Sequence, residues 1–133
     1  MEQNDNDELR IYIVVRRDLE MSRPKFGVQV AHATLAVFTA CMDANPERAW
    51  AYYNRGQQPK IVLQAKDSKA LLDLWKKAKA AGFYAEPIVD AGRTEFTEPT
   101  LTCLGVGPIW FKSEGQLLKR VRLYQPDKEQ IDG

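Results

Sequence analysis

The chain has 133 residues, 44% of them hydrophobic, which fits one domain with a proper core and leaves no room for two; residues 9–125 are read as that domain. The net charge of only +1 hides a polarised molecule: residues 1–8 carry four acids and no base and 126–133 three acids and one base, two acidic tails read as flexible, so that 9–125 hold 18 basic against 11 acidic residues, a balance that attracts polyanions. No membrane span is expected, because the apolar stretch 28–42 is broken by Gln29, His32 and Thr34, and the acidic start lacks the apolar segment of a secretory signal, which points to the cytoplasm.

The first element is Ile11-Tyr-Ile-Val-Val15, a continuous β-branched run expected as a central strand buried on both faces. A turn over 18–23 follows, with Ser22 placed to cap a helix and Pro24 where one begins. That helix carries Lys25, Gln29 and His32 at i, i+4 and i+7, hence on one face. Its small residues Gly27, Ala31, Ala33, Ala36 and Ala40 suit close packing on a sheet, and Asn45-Pro46 ends it before a short helix over 47–53.

A strand over 59–65 leads to a helix capped by Asp67-Ser68, whose Leu71, Leu72, Trp75 and Ala78 keep helical spacing up to Gly82. A short strand over 85–90, weakened by Pro87, precedes Asp90-Ala-Gly-Arg-Thr94; another over 101–107 is expected to end at Gly107-Pro108. Residues 116–124 fit a strand or a helix. The alternation predicts a three-layer α/β/α sandwich with a largely parallel, mixed sheet of roughly four strands, the last pairing antiparallel because its link is too short for a helical crossover. Cys41 and Cys103 lack metal or disulfide spacing and are read as buried thiols.

Ligands of open α/β sheets gather beyond the carboxyl ends of the parallel strands, which is where Lys25 opens its helix and Asp90 ends its strand. His32 is of the one residue type that exchanges protons near neutrality, and Asp90 can orient it or hold a water. Lys25 can neutralise an oxyanion or a phosphate, Arg93 offers a planar fork to phosphate, and the Thr94 hydroxyl can position water. Arg16, Arg17 and Arg23 flank the same corner and are candidate polyanion contacts, whereas the lysines of 76–79 read as a solvated helix face. The bland alternatives stay open: His32 as a satisfied interior residue, Gln29 bonding backbone carbonyls, and 90–94 as a plain turn with Asp90 capping local N–H groups and Arg93 paired to it. No phosphate-cradling glycine loop, nucleophile elbow or metal-ligand cluster is present, so a hydrolase here has to activate water directly.

Taken together, Val14-Val-Arg-Arg-Asp-Leu-Glu-Met21, Lys25-x-x-x-Gln-x-Ala-His-Ala33, Gly56-Gln-x-Pro-Lys60, Asp90-Ala-Gly-Arg-Thr94 and Leu104-Gly-Val-Gly-Pro108 resemble the archaeal and eukaryotic (type II) peptidyl-tRNA hydrolases across nearly the whole body of the chain. The resemblance implies a four-stranded mixed sheet between helices and cofactor-free hydrolysis of the ester joining a peptide to tRNA. It also places Lys25, Gln29, His32, Asp90 and Thr94 at the family's active-site positions, without saying which is the base. Peptidyl-tRNA is the implied partner, and a homodimer is compatible with it. A scaffold that binds tRNA but turns over slowly or not at all is the competing reading. Departures from the family pattern fall at Ser22-Arg-Pro-Lys25, at Glu95 in place of a usual glutamine, at 96–99 and at 109–112, leaving the chemical groups in place and bearing on substrate preference.

Overall fold

Side chains of one strand alternate between two buried faces, and that alternation sets the layers. In the computed structural model, which describes residues 6–93 and 95–126, the chain runs β1 (Leu9–Arg16), α1 (Arg23–Ala44), α2 (Pro46–Asn54), β2 (Lys60–Ala65), α3 (Ser68–Ala80), β3 (Ala85–Asp90) and β4 (Thr100–Trp110), with a 3₁₀ turn at Gly115–Leu118. Ile11, Ile13 and Val15 pack with Ala33 and Val37 of α1 and Tyr52 of α2, while Tyr12 and Val14 pack with Leu71 and Ala78 of α3. The four-stranded sheet, ordered β2-β1-β4-β3, is thus covered on both sides, as expected.

The helix starts follow their caps. Ser22 Oγ accepts the Lys25 N–H at 3.2 Å, Asn45 Oδ1 accepts that of Arg48 at 3.2 Å and Asp67 Oδ1 that of Ala70 at 2.9 Å, each satisfying a donor the helix itself leaves open. On β4, Gly105 lets α1 come close: a Cβ there would lie 2.6 Å from the Ala33 carbonyl oxygen.

Three expectations need correcting. First, the sheet is less parallel than predicted: β1 pairs with β2 in parallel, but β4 inserts between β1 and β3 and is antiparallel to both. Second, β4 does not stop at Gly107-Pro108. The ladder resumes with Ile109 opposite Arg10 and Trp110 opposite Leu9, and Pro108 sits at the irregularity between Arg10 and Tyr12, while Ile11 sends its N–H to Pro59 O on the β2 side of the strand. Third, α1 is by length and composition long and apolar enough to cross a membrane; here it lies along the sheet, seated through Gln29, Ala33, Val37 and Cys41.

The ambiguous segment at 116–124 splits into the 3₁₀ turn and an extended stretch. Leu123 bridges Leu63, Gln64 N donates to Arg122 O and Tyr124 N to Val62 O, so these residues cover the outer edge of β2. Of the first acidic segment, Asp7 is tied down: it accepts the N–H groups of Lys112 and Ser113 and the Ser113 hydroxyl. Burial pushes its pKa up, but those bonds outweigh burial and hold it below the usual carboxylate range.

Candidate active site

The site forms where the start of α1 meets the end of β3. Lys25 Nζ donates to Asp90 Oδ1, with both side chains only 9% exposed, and the Gly92 N–H donates to Asp90 Oδ2 at 2.9 Å. The Lys25 hydrogen bond, then that of Gly92, holds the Asp90 pKa below the usual carboxylate range against a desolvation that raises it; the charges of Lys25 and His32 add to the lowering. Asp90 is therefore an anion locked to a cation. The plain-turn reading was half right, since Asp90 does cap the loop, but its ionic partner is Lys25 rather than Arg93, which is exposed.

His32 is exposed rather than sealed in packing, and lines a groove together with Ile88 and Val89 of β3. Gln29, between Lys25 and His32 on the helix, is 2% exposed and belongs to the layer beneath: the Thr102 hydroxyl donates to its Oε1 at 2.6 Å. Thr102 reaches it because β4 bulges there, with Cys103 opposite Ile88 and Leu101 opposite Val89. Sequence reasoning missed Thr102; no motif marks it, since only the bulge and the register turn it toward α1. Thr94 lies outside the described residues.

The loop after β3 is pinned at two points. Gly92 has a φ of +80°, and a Cβ on it would stand 2.6 Å from the Glu98 carbonyl carbon, so only glycine fits the fold-back. Glu95 spans to the start of α1, accepting the Ser22 N–H at 3.0 Å and, on its other oxygen, the Ser22 hydroxyl. These bonds lower the Glu95 pKa, the hydroxyl most. A carboxylate thus occupies the electropositive end of α1. Phe96 completes this wall, with Lys25 Nζ 5.8 Å from its ring centre.

The arginines divide. Arg16 is committed inside the fold, in a fork to Asp18 at 3.1 and 2.8 Å and a bond to Leu101 O at 3.0 Å. Arg17 lies over the Tyr124 ring at 5.6 Å and lines a groove of about 640 Å³ past the ends of β1 and β2. Lys66, Lys77, Arg120 and Arg122 line the same groove, a cluster the sequence had scattered over three segments. Arg23 and Arg93 are exposed beside the Lys25–Asp90 pair, on the first turn of α1 and in the loop. Both cysteines are buried and free, and burial pushes the Cys103 thiol up to about 12. Among the described residues, no group of three or more His, Cys, Asp or Glu side chains is placed to hold a metal.

The described residues thus form a mixed α/β sandwich that brings a buried lysine–carboxylate pair, an exposed imidazole and a basic groove to its surface. The peptidyl-tRNA hydrolase PTH2 family model matches residues 9–124, and the chain belongs to that family. It is 44% identical over 97 residues to a peptidyl-tRNA hydrolase of Methanopyrus kandleri, covering 72% of this chain and 81% of the relative. To one of Sulfolobus acidocaldarius it is 36% identical over 105 residues, covering 75% and 87%. To the human protein named peptidyl-tRNA hydrolase 2, mitochondrial, it is 37% identical over 106 residues, 78% of this chain but only 58% of that longer protein.

Proposed function

We infer that the protein hydrolyses the ester that joins a peptidyl group to tRNA, releasing the peptide and free tRNA. Family membership supports the activity, and the observation that carries the site is the Lys25–Asp90 pair beside the open His32 ring at the carboxyl end of β3. An ester is already activated, so a placed water and a stabilised oxyanion suffice. In this reading Lys25 supplies positive charge to the tetrahedral oxyanion, and Asp90 holds Lys25 in place. Asp90 and His32 are the two groups able to take the proton of the attacking water, with Thr94 positioning that water. Gln29, bonded to Thr102, sets the helix face that presents Lys25 and His32. Arg17, Arg23 and Arg93 contact tRNA phosphates, and Arg16 organises the corner through Asp18.

The test is release of N-acetylated amino acid from N-acetyl-aminoacyl-tRNA, with unblocked aminoacyl-tRNA as control. Replacing His32 or Asp90 by Ala should lower kcat by about 10²-fold or more with tRNA affinity little changed. Arg17→Ala and Arg23→Ala should weaken binding and flatten its salt dependence. Binding without release by the unaltered protein would establish the non-hydrolytic reading instead. We place the protein in the cytoplasm, unlike the mammalian relatives whose names place them in mitochondria. A homodimer would draw on the exposed Val28, Leu35, Trp50 and Tyr53 of α1 and α2, and light scattering decides it. Residues 9–125 act as one domain in this reading.

A further inference from the structure

The two edges of the sheet are treated differently. That of β2 is covered by the chain's own residues 122–124, whereas β3 is the last strand on the other side. Gly107 N donates to Tyr84 O, so Tyr84, Glu86, Ile88 and Asp90 turn their backbone groups toward β4 while Ala85, Pro87 and Val89 turn theirs outward. The far end of this edge is blunted: Trp75 Nε1 donates to Ala85 O at 3.2 Å, and Pro87 has no N–H. Next to Asp90, however, the Pro87 carbonyl and both backbone groups of Val89 face away from β4 with no hydrogen-bond partner among the described residues, and Val89 is 58% exposed.

This end of the edge opens into a groove of about 690 Å³ between β3 and α1, entered at His32 and running along Ala36, Thr39 and Ala40. Ala36 and Ala40, expected from the sequence to pack against the sheet, line this groove instead, and their small side chains leave room for a backbone one strand spacing from β3.

We propose that the peptidyl part of the substrate adds to β3 as a parallel strand in this groove, a reading that rests on the hydrolase function above. The ester has to sit at Asp90, so the peptide's carboxyl end lies there and its chain runs back toward Glu86, in the direction of β3 itself. One peptide residue gives its N–H to Pro87 O and takes the Val89 N–H, and the residue two further on gives its N–H to Val89 O. Recognition through main-chain groups ignores side-chain identity, which suits an enzyme whose substrates differ in peptide sequence. The missing Pro87 N–H removes only the bond farthest from the ester.

The experiment compares kcat/KM for N-acetyl-aminoacyl-tRNA with that for N-acetyl-di-, tri- and tetrapeptidyl-tRNA of alanine. The expected result is a rise of about tenfold over the first residues, then a plateau. N-methylation of the peptide amide that reaches Pro87 or Val89 should abolish the gain, as should Val89→Pro, which removes one donor. Thr39→Trp, which fills the groove away from His32, should abolish it while leaving turnover of N-acetyl-aminoacyl-tRNA unchanged. Turnover that is independent of length and indifferent to N-methylation overturns the proposal, as does a Val89→Pro that dissociates a dimer but keeps the length dependence. No turnover of any blocked substrate would overturn the hydrolase reading itself, which separates the two failures.

Discussion

Gly105→Ala tests whether the site depends on how closely α1 lies on the sheet. The new Cβ would stand 2.6 Å from Ala33 O, 3.2 Å from Ala33 C and 3.3 Å from Val37 Cβ. Carbon and oxygen ordinarily approach no closer than about 3.3 Å, so the helix has to withdraw by roughly 0.7 Å. Two of the three crowding atoms are backbone, and no side-chain rotation relieves them. Overpacking of this kind destabilises by about 1–3 kcal/mol, a fall in Tm of roughly 4–12 °C for a domain of this size. The same withdrawal moves Lys25 and His32 relative to Asp90, and a displacement approaching 1 Å lowers kcat by about tenfold or more. Thermal unfolding followed by circular dichroism and single-turnover hydrolysis well below Tm measure the two effects. Gly27→Ala is the control: a methyl added on α1 itself meets nothing within 4 Å and should stabilise by about 0.5–1 kcal/mol. A Gly105→Ala protein with unchanged Tm and unchanged kcat would refute the reasoning.

Thr102→Val should destabilise by about 1–3 kcal/mol in denaturant titrations, because Gln29 Oε1 loses its donor in a buried place. The folded-state pKa values of Asp90 and Glu95 lie below their unfolded values, so their stabilisation is complete above the ordinary carboxylate range near pH 4 and is lost as pH falls through the lowered values. Unfolding followed across that range should show Asp90→Asn and Glu95→Gln each with a shallower acid limb than the unaltered protein. Arg120→Ser together with Arg122→Ser should raise KM for whole tRNA substrates and reduce the salt slope of binding with kcat unchanged, read by steady-state kinetics at several salt concentrations.

The fold was legible where local chemistry decides it. Ser22 and Asp67 cap the helices they were read to cap, Asn45, read only as ending α1, also caps α2, and the five-residue apolar run at 11–15 is the buried centre of the sheet. Strand order was not legible, because β4 finds β1 through contacts remote in sequence, and the alternation of strands with helices leaves its place open. At the site, the spacing 25, 29, 32 correctly implied a shared face, yet the three side chains meet different surroundings: Lys25 an anion, Gln29 a buried hydroxyl, His32 an open groove. Periodicity says which side of a helix a residue lies on, but not how deep the neighbouring strand sits beneath it. Arg16 shows the same limit, since its partner Leu101 lies 85 residues away.

The stretch that closes over β2 reaches farther than that strand. Tyr124 packs against Phe26 with ring centres 4.8 Å apart and the planes tilted by 50°, so the last described residues are stitched both to the sheet and to the first turn of the helix that bears Lys25. Cutting the chain before residue 121 would open a sticky seam along β2 and loosen that turn from the opposite side of the molecule. Damage at one terminus would then surface as aggregation and as lost turnover together.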